Sequence, residues 1–153
     1  MYHYKESGLP HVYLANGYKK IDTPNGKGVA IRDVEDLHFA IASAAVLERK
    51  HLTGPEVKFI RKFLELTQPQ FAELLGVEEQ TVRLWEKRPR APKQADRAVR
   101  LLFLNVVGMH RIRPAKIADI VKHTTSRAEV SKLNLRFRPS AKDKWAPDWP
   151  KAA

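Results

Sequence analysis

The chain has 153 residues, no cysteine and a formal net charge of +11. Without cysteine, disulfides and thiolate zinc sites are excluded, and the scattered histidines form no pair at metal-binding spacing. No apolar run approaches the roughly 20 residues that span a bilayer, so the positive charge points to an anionic partner, nucleic acid before a membrane surface.

The opening MYHYKESGLP is neither apolar nor signal-like, which predicts a soluble, cytoplasmic protein. Residues 1 to 32 read as a small β unit. A short strand at 11–14 ends at Asn16-Gly17, a hairpin-turn dipeptide. A second strand at 18–23 leads to a turn at Pro24-Asn25-Gly26, and residues 28–31 close a meander. Such a sheet is marginal alone and needs a covering helix. The next segment supplies one: Asp33 caps it with Asp36 at the third position, and Val34, Leu37, Ile41 and Ala45 form its inward stripe. His38 beside that stripe reads as a packed or partly exposed histidine. Residues 50–52 break the helix.

Thr53 and Glu56 then form a capping box, and Leu52 can staple onto Val57. The helix they open buries Val57, Ile60, Phe63 and Leu64. It leads into the most informative stretch, residues 66–90, LTQPQFAELLGVEEQTVRLWEKRPR. Thr67 and Gln70 repeat the capping-box spacing, and Pro69 falls in the first turn, where its missing N–H costs nothing. Phe71, Ala72 and Leu75 make a one-sided stripe, and Gly76 ends the helix where a left-handed residue is usual. A second helix follows within about three residues, with Val77, Val82 and Trp85 inward and Glu79, Gln80, Arg83 and Leu84 outward. Two helices joined steeply by such a turn define a helix-turn-helix, whose second helix presents its N-terminal side chains to base edges in the major groove.

After Trp85 the chain becomes basic and proline-broken, and a helix follows over Lys93–Val107. Its apolar residues run nearly all round, which predicts burial on more than one side. Leu101, Phe103, Leu104 and Val107 are therefore candidates for a homodimer interface. A further amphipathic helix is expected over residues 114–123. Alternation at Leu133, Leu135 and Phe137 predicts a strand, expected to pair with the N-terminal sheet. Trp145 and Trp149 in the tail can anchor it on the body or on another chain.

The pattern Q-x(3)-A-x(3)-G, followed by V-x(2)-W-E-K, resembles the helix-turn-helix of Cro/repressor-type (XRE-like) regulators. Together with ESGLPHVYLANGY and TPNGKGVAIRDVEDLHFAI it is similar to the MqsA/YgiT-type antitoxin and regulator family, strongly over residues 53–88 and loosely over about 1–105. Family members usually carry an N-terminal zinc domain with paired CxxC motifs; this chain, having no cysteine, lacks that site. The resemblance implies a homodimer that binds an operator and represses transcription. It also implies that Gln68 clamps a phosphate and that Gln80 sits at a base-reading position.

The expected fold is mainly α within the α+β class. Residues 1–50 would form the β unit with its helix, 53–107 the repressor-like module of a five-helix architecture, and 108–153 a helix, strand and basic tail. Base-reading candidates are Glu79, Gln80, Arg83 and Leu84. Gln80 can bond adenine bidentately, Arg83 suits guanine or a phosphate, Glu79 can accept from cytosine or simply favour the helix dipole, and Leu84 can meet a thymine methyl or pack inward. Backbone candidates are Gln68, Gln70, Thr81, Lys87, Arg88, Arg90 and Lys93, joined by Arg97. A second, diffuse basic group comprises Arg111, Arg113, Lys116, Lys122, Arg127, Lys132, Arg136 and Arg138. The sequence carries no GxSxG, P-loop or HExxH motif, so neither an enzyme, a metal nor a cofactor is expected. The predicted partner is double-stranded DNA, with a cognate toxin as the alternative partner of an antitoxin. An architectural factor of a mobile element is the other alternative.

Overall fold

The computed structural model describes residues 1–107, 135–140 and 144–148. They form an α+β protein with five helices and six short strands. Contacts divide the chain into two compact units, residues 1–41 with 132–153, and residues 42–131.

In the first unit, alternation decides which side chains enter the core. Strand β2 (Val12–Leu14) buries Val12 and Leu14 completely and leaves Tyr13 partly exposed, as a period of two requires. It pairs antiparallel with β1 (Tyr2–His3) and parallel with β5 (Leu135–Pro139), and β5 pairs antiparallel with β6 (Trp145–Pro147). The C-terminal strand thus joins the N-terminal sheet as expected, with Val12 opposite Leu135 and Leu14 opposite Phe137. Leu133 and Trp149, the expected helix at 114–123 and the basic residues Arg111, Arg113, Lys116, Lys122, Arg127 and Lys132 lie outside the described residues.

The expected meander does not form. Beyond Leu14 the Ala15 N–H still donates to the Phe137 carbonyl at 2.9 Å, so β2 keeps its distant partner and Asn16-Gly17 closes no hairpin. Gly17, at φ +78°, instead leads into β3 (Tyr18–Thr23); a Cβ there would lie 2.7 Å from the Trp145 ring. Only the second turn makes a hairpin. Strands β3 and β4 (Gly26–Ile31) pair around Pro24-Asn25 as a separate two-stranded sheet, where Thr23 Oγ1 donates to the Gly26 carbonyl at 2.6 Å. Trp145 anchors the tail on the protein's own body. Its ring is buried, its Nε1 donates to the Arg32 carbonyl at 2.7 Å, and its backbone N–H donates to Asp36 Oδ2 at 2.6 Å.

Helix α1 (Val34–Glu48) begins at the expected cap, with Asp33 Oδ1 accepting from the Asp36 N–H at 3.1 Å. Leu37, Ile41 and Ala45 are buried, but Val34 is 39% exposed. It is the first helical residue and precedes the turn that carries the stripe inward. His38 is partly buried, with Nε2 2.8 Å from the Tyr4 hydroxyl.

The second unit contains α2 (Gly54–Phe63), α3 (Gln68–Leu75), α4 (Glu79–Lys87) and α5 (Lys93–Val107). Helix α2 packs on α4 and α5, and α3 packs on α4. Both arms of the Thr53 capping box form, and Leu52, Val57, Ile60, Val82, Val99 and Phe103 are completely buried. Phe103, expected at a dimer interface, is instead core: its ring lies 5.9 Å from that of Phe63. On α5 the exposed apolar residues are Leu101 and Val106, while Leu104 and Val107 are partly covered. The loop before α2 is bound to the loop after α4, since the Gly54 N–H donates to the Arg88 carbonyl at 2.9 Å and the Ala91 N–H to the Leu52 carbonyl at 2.8 Å.

At Gly54 a Cβ would lie 2.6 Å from the Arg88 carbonyl oxygen and would also press on that of Trp85. Gly54→Ala should therefore destabilise the protein by about 1–3 kcal/mol or more, through overpacking against backbone that has no rotamer to change; urea melting measures it. Burial lowers the pKa of His38 below the ordinary imidazole value of 6.5. The unfolded chain then binds the proton more readily, so this contribution to stability is complete above about pH 6.5 and is lost as pH falls toward the lowered folded-state value. His38→Gln should flatten that part of the melting-temperature profile.

Candidate nucleic-acid interface

The site is built on α3 and α4. Thr67 Oγ1 accepts from the Gln70 N–H at 3.2 Å, and Gln70 Oε1 accepts from the Thr67 N–H at 2.9 Å. The start of α3 is therefore fixed from both sides. Gly76, at φ +64°, ends the helix, and the Val77 N–H closes the turn on the Ala72 carbonyl at 3.0 Å. Helix α4 begins three residues after Gly76. Phe71 and Ala72 on α3 and Val82 and Trp85 on α4 are buried. The small Ala72 side chain suits close packing of the two helices.

The opposite face of α4 is open. Gln80, Arg83 and Leu84 are exposed and Glu79 partly so; at 51% exposure Leu84 does not pack inward. Arg83 pairs with Glu79 one turn earlier. That contact is mostly solvated and adds little stability, yet it offsets the carboxylate charge at the start of the helix. Thr81 is partly covered.

Behind this face lies a polar centre that apolar periodicity does not reveal. Glu86 is 6% exposed and Arg61 of α2 is 5% exposed, and the guanidinium grips the carboxylate with two hydrogen bonds, Nε to Oε1 and Nη2 to Oε2. Arg61 Nη1 also donates to the Leu66 carbonyl at 2.7 Å. Gln68 Nε2 donates to Glu86 Oε2 at 2.8 Å, and Arg83 Nε lies 3.4 Å from Gln68 Oε1. Gln68 is thus held between a buried carboxylate and an exposed arginine, joining three helices to the outer face. Glu86 follows Val82 by four residues, as Arg61 follows Val57. That spacing places both on the inward side of their helices, so the direction of these charged residues is legible in the sequence.

The other candidates divide. Gln70 commits its carbonyl oxygen to the cap and retains its amide donors. Lys87 and Arg88 lie exposed at the end of α4. Arg90 and Lys93 are exposed too, but they line a cavity of about 40 Å³ with Lys50, His51, Asp96 and Arg97. Arg136 and Arg138 belong to β5, and Arg138 meets Asp148 at 3.3 Å.

Among the described residues no cluster of His, Asp and Glu could hold a metal ion, and no helix is long and apolar enough to cross a membrane. Comparison with protein families, with curated proteins and with solved structures found no match.

Glu86→Ala should cost about 3–5 kcal/mol, because it leaves the Arg61 charge buried without a counter-ion. Equilibrium unfolding measures the loss, and a cost below about 1 kcal/mol would mean that Arg61 reaches water.

Proposed function

We propose that this chain is a sequence-specific DNA-binding regulator of transcription, with α3 and α4 as a helix-turn-helix of the repressor type. It acts as a homodimer on a palindromic operator with half-sites about 34–36 Å apart, and it represses transcription by occupying that DNA. The observation that carries the reading is the two-sided character of α4. Its buried side, Val82, Trp85 and Glu86, fixes the helix, while Gln80, Arg83 and Leu84 stand together in solvent. These side chains suit base edges: an amide for adenine, a guanidinium for guanine, an apolar tip for a thymine methyl. The net charge of +11 supplies the sequence-independent attraction to phosphates.

On this reading α4 enters the major groove and the first turn of α3 meets the backbone. Gln68 presents an amide whose orientation is already set, so little freedom is lost on binding. Lys87 and Arg88 lie along the phosphates beyond the groove. Leu101, with Leu104 and Val107, offers the apolar part of a dimer contact on α5. The role is that of a binding protein, not of a catalyst.

Gel-shift titration against the DNA upstream of its own gene, beside random duplex and at two salt concentrations, tests the proposal. Tight binding to the upstream fragment that persists as salt rises is the expected result; equal, salt-sensitive binding to both would remove sequence readout. Gln80→Ala should cost about 1–3 kcal/mol at one base position and relax specificity there. Arg88→Ala should weaken binding to all sequences alike and lower the salt slope by about one unit.

A further inference from the structure

The residues around the small cavity at the start of α5 carry more positive charge than the fold neutralises. Four cationic residues, Lys50, Arg90, Lys93 and Arg97, line a space of about 40 Å³ beside His51. That space is about three times what one water needs, on the order of 10–15 Å³, and so is comparable with a small oxyanion. The carboxylate on its wall, Asp96, is already committed. One oxygen accepts from Arg100 Nε and the other accepts from the Leu52 N–H at 2.8 Å. Lys50 Nζ is buried and has no hydrogen-bond partner among the described residues, an arrangement that costs stability unless an anion compensates it.

The Arg90 guanidinium adds to the imbalance. Its Nη2 lies 3.1 Å from His51 Nδ1 and 3.0 Å from Nε2. Equal distances to both ring nitrogens put the cation over the ring face, not on one lone pair, which leaves its other N–H groups available. Burial, and then the Arg90 charge, hold His51 below the usual imidazole pKa; Asp96 opposes this, while Lys50 and Arg100 reinforce it. The first turn of α5 contributes the positive end of a 15-residue helix.

We infer that Lys50, His51, Arg90, Lys93 and Arg97 form a phosphate-binding pocket, built between the loop before α2, the loop after α4 and the start of α5. Arg90, Lys93 and Arg97 surround the opening, and the Lys50 ammonium, buried in the wall, adds its charge from behind it. The phosphate group is either that of a small free anion or one on a nucleic-acid backbone. Only the second source rests on the DNA reading above.

The test uses the full chain. Thermal melting in inorganic phosphate against chloride at equal ionic strength is run beside a titration of the His51 ring by NMR, for the wild type and for Lys50→Met. With a free anion as the source, phosphate raises the melting temperature saturably and raises the His51 pKa. Lys50→Met then weakens that response about tenfold or more, while melting higher than wild type in chloride because a buried unpaired ammonium has gone. With a DNA phosphate as the source, inorganic phosphate gives no saturable response. Duplex DNA moves the His51 resonances, and Lys50→Met and Arg97→Ala each lower the salt slope of binding by about one unit. If neither inorganic phosphate nor duplex DNA perturbs His51 in the wild type, the pocket does not bind phosphate.

Discussion

The carboxylate of Glu86 is the point on which the second unit turns. It is enclosed by three helices and meets Arg61 from α2 and Gln68 from α3. A buried ion pair of this kind adds little net stability, since a well-packed apolar pair would serve as well. What it contributes is direction. A bidentate guanidinium–carboxylate pair admits few geometries, so it fixes how α2 and α4 lie against each other. The remaining acceptor capacity of Glu86 then orients the Gln68 amide at the start of α3, where the proposed interface begins.

A second polar cluster plays the corresponding part where α5 meets the end of α1. Arg100 on α5 is 3% exposed, pairs with Asp96, and donates to the carbonyls of Val46 and Arg49 at 2.5 and 2.8 Å. The final carbonyls of a helix have no partner within it, so Arg100 closes the end of α1 from outside. The loop that carries Lys50 and His51 is thereby brought to the first turn of α5. Both clusters use an arginine buried beside a carboxylate to position neighbouring groups. In the first those are the exposed side chains of α4, and in the second the cations of the phosphate pocket.

The parts of this structure that were legible in the sequence have local causes. Thr53 with Glu56, Thr67 with Gln70, and Gly76 each act within one turn of helix, and the helices begin and end where these residues place them. The exposure of Gln80 and Arg83 follows from the 3.6-residue period. The sheet is different. The Asn16-Gly17 signal yields to a parallel partner far along the chain, and no local preference encodes which remote strand β2 will take. Strands β1 and β6 are too short to show a period at all. The buried ions are not legible in the same way, because apolar periodicity carries no sign of Arg61, Glu86, Asp96 and Arg100 turning inward. Phe103 is core and not interface for the related reason that a helix apolar on several sides does not declare which side meets its own core.

In the proposed complex the outer face of α4, backed by the Glu86 cluster, meets DNA. Backbone amide NMR of the full chain, titrated with the duplex upstream of its own gene, tests it most directly. The largest shifts are expected at the first turn of α3, at Gln68 and Gln70, and along Gln80, Arg83 and Leu84, with the buried Val82 and Trp85 moving less. Shifts confined to β3 and β4 or to the exposed side of α5, with α4 unmoved, would contradict it.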